Sequence, residues 1–359
     1  MLHLDTLWSV IIAVLWVGFF VLEGFDFGVG VLHTIIGRTD AERATVLSTI
    51  GPWWDGNEVW LVVAGAGTFA AFPGWYATMF SALYLALLLV LAALMARGVS
   101  LEFARKHEDE RWLKAWTWCT TLGSLLVPLL LGIGLGDLLN GLPIDSAHEY
   151  TGNFFDLLTP YGLWTGVTLL GLSLLHGATF IKLRTTGELR ERARAAARPL
   201  GWAAIALVVG FVIWTRSVAG GPTIPDPVEV LAVIAVVFAA LLAATDHDGW
   251  AFSASAVAIA ACVGSIFIDL YPRVMVSSTD AAYNLTVSNS ASGHYALVVM
   301  TVVTVIFFPL VLVYQGWSFH VFRARVKGAP EAPDAQSSAP PAPSGPPAPA
   351  IRPGAPPAS

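Results

Sequence analysis

Nine long stretches of this chain are dominated by apolar side chains, and that repetition constrains the fold more than any other feature. They run over roughly 7–36, 54–72, 75–97, 115–137, 158–181, 199–217, 228–245, 250–271 and 294–320. A helix needs about 20 mainly apolar residues to cross the ~30 Å hydrocarbon core of a bilayer. The pattern therefore predicts an all-α, polytopic membrane protein with nine transmembrane helices. Composition agrees: 56% of the 359 residues are hydrophobic and 12% are charged, against roughly 25% charged in soluble domains. The 14 tryptophans suit helix ends anchored at the headgroups.

The formal net charge of −6 comes with no basic patch, which excludes nucleic acid as an expected partner. Cys119 and Cys262 both lie in apolar segments, so two free thiols are expected rather than a disulfide framework. No cleavable signal is expected, because the first apolar stretch lacks a positive leader and exceeds signal-peptide length.

Lysine and arginine orient the helices. The loop after the first stretch carries Arg38 and Arg43, and that after the third Arg97, Arg105, Lys106, Arg111 and Lys114. That after the fifth carries Lys182, Arg184, Arg190, Arg192, Arg194 and Arg198, and Arg323, Arg325, Lys327 and Arg352 follow the ninth. Only Arg216 and Arg273 of the 19 positive residues fall on the other side. The positive-inside bias makes the crowded side cytoplasmic, with the N-terminus outside and the C-terminus inside. The outer loops include an acidic segment with Asp145, Glu149 and Asp156, and a Ser/Asn/Thr-rich one over 272–293. Residues 1–327 then form the transmembrane domain, and the Pro/Ala-rich tail over 328–359 is expected to be a disordered cytoplasmic segment.

An ionised side chain at mid-membrane costs at least ~2.5–3.5 kcal/mol on insertion scales, so residues that bear it usually face a partner or a hydrated path. Glu23 and Asp26 stand three apart on the first helix, with His33 seven residues further on; one helical face presents both acids. Gly24 and Gly28 there form a small-xxx-small pair suited to close helix approach. The acids are read either as hydrogen-bonded packing residues or as part of a hydrated proton route, with the second favoured. At the start of the second helix, Trp53-Trp54-Asp55-Gly56-Asn57-Glu58-Val59-Trp60 puts Asp55 and Glu58 on one face with Asn57 beside them. Asp55 could cap the helix; aromatic walls such as Trp54 could instead exclude bulk water around exchangeable carboxyls. A proton inlet is the favoured reading. His176 in the fifth stretch has no ligand-like spacing, so no metal is assigned. Asp246-His247-Asp248 and Asp269 read as ordinary turn and interfacial acids.

The sequence has no phosphate-binding, dinucleotide-binding or zinc-type pattern. The residues themselves leave open a proton-coupled secondary transporter or a purely structural membrane subunit.

The same segments resemble subunit II of the cytochrome bd-type quinol oxidases. The resemblance is carried by GFDFGVG (24–30), GPWWDGNEVWLVVAGAGTFAAFP (51–73), LLHGATFIKLRTTGELRERA (174–193), GWAFSAS (249–255), IDLYP (268–272) and YQGWSFHVFRARV (314–326). It implies two four-helix bundles plus one peripheral helix in a bacterial cell membrane. It also implies a heterodimer with subunit I, joined in some members by small single-helix subunits. In that family subunit I holds two b haems, haem d and the quinol site, while subunit II is haem-free and in some members holds a structural quinone. The complex oxidises quinol, reduces O2 to water and takes the chemical protons from the cytoplasm. The resemblance implies a proton path at Asp26 and Asp55, with Glu23, Asn57 and Glu58 as local support and Trp54, His33 and His176 nearby.

Overall fold

The computed structural model describes residues 3–107, 109–220 and 224–326; the tail assigned to 328–359 lies outside them. Twelve α-helices follow in chain order: α1 (Leu4–Ile36), α2 (Asp40–Ser48), α3 (Trp54–Ala71), α4 (Pro73–Ala82), α5 (Tyr84–Phe103), α6 (Glu110–Asn140), α7 (Pro160–Arg184), α8 (Gly187–Ala219), α9 (Pro227–Ala243), α10 (Asp248–Leu270), α11 (Val287–Ser290) and α12 (His294–Val321). Seven of them (α1, α5, α6, α7, α8, α10 and α12) are long and apolar enough to cross a membrane. Shorter than these are α9, an apolar helix of 17 residues, and α3, of 18 residues with Asp55 in its first turn.

Local chemistry sets the boundaries. Pro160 and Pro227 open α7 and α9, where proline's fixed φ and missing N–H cost nothing. Thr159 and Asp226 cap those helices with side-chain oxygens. The expected single helix over 75–97 is instead two, because the backbone leaves helical geometry at Leu83 and Pro73 starts a separate turn of chain before it. The loop expected around Lys182 shrinks to Thr185 and Thr186, so Arg190, Arg192, Arg194 and Arg198 stand on the first turns of a 33-residue α8. In the 272–293 segment, β1 (Arg273–Met275) pairs antiparallel with β2 (Leu285–Thr286), a small exception to an otherwise helical chain.

α7, α8, α9 and α10 pack as one four-helix group, and α1, α3, α5 and α6 as another, with α1 also lying along α7 and α10. By contrast α12 touches α1 and α3 and buries only Leu297. The end of the array that carries α2, here the basic end, is held by ion pairs. Arg192 reaches from α8 to Glu42 and to the carbonyl of Ile36 at 2.8 Å, closing α2 onto the end of α1. That contact holds the Glu42 carboxyl down at about 2. Lys182 was expected in a loop, yet it is fully buried on α7 and lies 3.0 Å from Asp248. Asp248, expected to be an ordinary turn acid, also receives Arg190 at 3.2 Å and Arg325 at 2.8 Å. A buried carboxylate needs such partners, and this one ties α7, α8, α10 and the segment after α12 together.

At the opposite end the connecting segments are stitched by backbone bonds, as between Val276 and Leu138 at 3.0 Å. Asp226, Glu229 and Asp269 cluster there, with the Arg216 guanidinium among them. Both cysteines are free.

α1 and α7 approach each other closely at Gly28. A Cβ added to Gly28 would lie 2.1 Å from the Ser173 carbonyl oxygen and 2.7 Å from Gly177 Cα, whereas one on Gly24 would meet Ile259 at an ordinary 3.4 Å. Of the expected glycine pair, only Gly28 sits at the crossing. Backbone atoms cannot swing aside, so Gly28→Ala should destabilise the protein by about 1–3 kcal/mol, the usual cost of overpacking. Thermal unfolding should show a lowered midpoint for Gly28→Ala and little change for Gly24→Ala.

Candidate functional site

The acids of α1 and α3 meet around a residue that the sequence pattern places in a loop. Arg97 lies inside α5 and is fully buried. Its Nη1 donates to Glu23 Oε1 and, at 2.7 Å, to Glu58 Oε1. The guanidinium also stacks over Phe27 at 5.0 Å. Glu23 is fully buried, while the Glu58 side chain retains 23% exposure. One end of this chain of charges is therefore sealed and the other touches the surroundings.

Asp26 is also fully buried. Its Oδ2 accepts from Asn57 Nδ2 at 2.7 Å, and the same amide donates to the Leu22 carbonyl at 3.1 Å. Asn57 Oδ1 accepts from Gln315 Nε2 of α12 at 3.1 Å, the one polar contact that α12 makes with this group. Glu23 and Asp26 are one turn apart on α1, so two lines of polar groups end on neighbouring acids. One is Gln315–Asn57–Asp26, and the other is Glu58–Arg97–Glu23.

Asp55 stands at the mouth of the first line. It is exposed in the first turn of α3 and forms no cap bond. It lines a cavity of about 590 Å³ together with Trp54, Glu102 and Gln315. The three tryptophans do not enclose the acids as a common wall. Trp53 stacks on Phe319 at 5.3 Å, Trp60 packs edge-on to Phe308, and Trp54 remains half-buried beside α5.

The two histidines go elsewhere. His33 is buried with Nδ1 bonded to the Gly30 carbonyl at 2.8 Å. His176 lies on the α7 and α10 side of α1, with Nδ1 on Ser255 Oγ at 2.7 Å and Nε2 on the Val21 carbonyl at 3.2 Å. Both its nitrogens are engaged within the protein, which leaves none to bind an iron.

Glu23 and Glu58 share the Arg97 guanidinium, and Asp26, one turn along α1 from Glu23, completes the group. Several of its atoms have spare hydrogen-bonding capacity. Among the described residues, Glu23 Oε2, Asp26 Oδ1 and Arg97 Nε and Nη2 are buried without a partner. Buried polar atoms of this kind are normally satisfied by ordered water.

Arg97 and Gln315 are the residues that sequence reasoning missed. Arg97 falls at the end of an apolar stretch, where the sequence pattern counts it with the basic loop that follows. Its role is legible only once α1, α3 and α5 are packed together.

Fold and site define a multi-pass helical membrane protein with a cluster of buried acids around one arginine inside one helix group. Comparison with known proteins is more specific. The sequence profile of the family described as cytochrome bd terminal oxidase subunit II matches residues 4–322. Cytochrome bd ubiquinol oxidase subunit 2 of Bacillus subtilis (strain 168) is 43% identical over 334 residues, covering 91% of this chain and 98% of that protein. Cytochrome bd-I ubiquinol oxidase subunit 2 of Escherichia coli (strain K12) is 35% identical, covering 89% and 94%. In fold, the chain is similar to one chain of the bd oxidase structure from Geobacillus thermodenitrificans, with a TM-score of 0.70 at 18% identity over 89% of this chain and 99% of that one. The chain belongs to the cytochrome bd terminal oxidase subunit II family, and is a multi-pass protein of the bacterial cell membrane.

Proposed function

We propose that this chain is the haem-free subunit of a quinol-oxidising, O2-reducing terminal oxidase, and that it feeds cytoplasmic protons toward haems held by subunit I. The observation that carries this reading is the pair of buried acids: Asp26 is linked through Asn57 to Gln315, which lines a cavity at the basic end, and Glu23 through Arg97 to the partly exposed Glu58. The ubiquinol oxidase names of the relatives supply the reaction, and the positive-inside bias supplies the direction. On this reading the chain crosses the membrane nine times: α1, α3, α4 with α5, α6, α7, α8, α9, α10 and α12. The N-terminus is then outside and the basic end cytoplasmic.

Two b haems and haem d belong to subunit I, with which this chain forms a heterodimer, joined in some family members by small single-helix subunits. His176 offers no free nitrogen, so no electron-transfer step is assigned to it. The exposed apolar faces of α5 and α12 are suited to lipid and to neighbouring subunits. A structural quinone would find room in an apolar groove of about 630 Å³ lined by Trp16, Leu61, Trp75, Met79 and Leu87. Trp75 Nε1, buried without a partner, could donate to a carbonyl there.

The path is tested at its mouth. Asp55→Asn should slow quinol-driven O2 uptake by the purified complex while leaving its haem spectrum intact. Normal turnover would remove Asp55 from the path, and loss of haem would assign it a structural part instead.

A further inference from the structure

A second cavity lies at the basic end, between α1, α2, α5 and α6. It has a volume of about 320 Å³, and Asp40, Arg43 and Glu102 stand among the residues that line it. Its inner lining is polar although it lies within the helix array: His33, Ser100 and Thr120 all line it, and each is at most 2% exposed. Ser100 Oγ donates to the Arg97 carbonyl at 2.6 Å and lies 2.6 Å from Thr120 Oγ1. Apolar residues would fill this position at lower cost.

The polar side chains continue inward. Ser124 is one turn beyond Thr120 on α6, fully buried, and its Oγ has no partner among the described residues. A Cβ placed on Gly30 would come within 2.0 Å of that Oγ, so the hydroxyl sits against α1 between His33 and Phe27. Next along are Arg97, whose Nε and Nη2 are unpartnered, and Glu23, whose Oε2 is unpartnered. His33 and Glu23 are ten residues apart on α1, about 15 Å along the axis. Ser100, Thr120, Ser124, Arg97 and Glu23 thus form a column of hydrogen-bonding groups over that distance, several with capacity left for water.

We propose that this column is a second proton inlet, reaching the neighbouring acids Glu23 and Asp26, which both inlets share, from the cytoplasmic side independently of Asp55 and Asn57. It rests on the proton-supplying function proposed above and adds a separate route to it. Trp54, Gly51 and Glu102 line both cavities and stand between the two inlets. In each transfer a hydroxyl or water passes one proton inward and receives one from the cytoplasmic side, so nothing is oxidised or reduced.

The test compares four complexes by quinol-driven O2 uptake: Asp55→Asn, Thr120→Val with Ser124→Ala, all three substitutions together, and Asp26→Asn. Blocking either of two parallel inlets should lower turnover about two-fold, and blocking both about ten-fold or more, a coupling that independent sites would not show. If the triple variant is no slower than Asp55→Asn while Asp26→Asn is slow, the second inlet is wrong and the proton-supplying function stands. If Asp26→Asn turns over normally, the function itself fails and the inlet with it. Should the α6 variants not assemble, Ser100→Cys provides a separate readout. A small water-soluble methanethiosulfonate added from the cytoplasmic side should label it above the wild-type background. Absence of that labelling would overturn the proposal.

Discussion

Arg97→Leu is expected to prevent accumulation of a stable, haem-loaded complex. The substitution removes the only cation that bonds Glu23 among the described residues and strips Glu58 of its partner in one step. Breaking a buried pair from one side costs about 3–5 kcal/mol, because the remaining charge is left in a low-dielectric interior, and proteins have only about 5–15 kcal/mol of net stability. Glu58 keeps a 23% exposed side chain, but Glu23 is fully buried and has no such escape. Removing both buried partners, as in Glu23→Gln with Arg97→Met, should therefore recover much of the lost yield. Yield and haem content of the purified complexes check both statements. An Arg97→Leu complex as stable as wild type would show that the guanidinium does not neutralise the acids.

Asp26→Asn should have the opposite profile, with assembly retained and turnover lowered. Asparagine has the same shape, and its amide oxygen can keep the 2.7 Å bond from Asn57. What it cannot do is take up and release a proton. Loss of a positioned proton-transfer group commonly costs about 10²–10⁴-fold in rate. With Glu23 one turn away as a partial substitute, a fall of about ten-fold or more is expected for Asp26→Asn. O2 uptake and the haem spectrum, measured on one preparation, separate this outcome from misassembly.

The helical framework was legible because apolar periodicity and basic loops are local signals. Pro73, Pro160 and Pro227 even mark helix starts. Less legible was everything decided by packing. Leu83 carries no breaker signal, so the division between α4 and α5 was hidden. Lys182 and Arg97 both follow apolar runs, and the rule that places arginine and lysine in loops assigned them there. Each instead turns inward to a buried acid that lies far away in sequence, Asp248 for one and Glu23 for the other. The acids of the site were visible as intramembrane charges, and Asn57 as their neighbour. Their connections to Arg97 and Gln315 were not, since these span 74 and 258 positions of chain. His176 resembled the acids in being polar and intramembrane, yet its bonds to Ser255 and Val21 put it on the other side of α1.

Proton uptake during a single turnover tests the central claim most directly. The fully reduced complex, reconstituted in vesicles with the basic end facing the medium, is mixed with O2 while a pH-sensitive dye reports on that medium. Wild type should take up protons as the haem signals change. The Asp26→Asn complex should bind O2 normally and take up protons at least about ten-fold more slowly. Wild-type uptake kinetics in that variant, with its haem spectrum intact, would contradict a proton path through this chain.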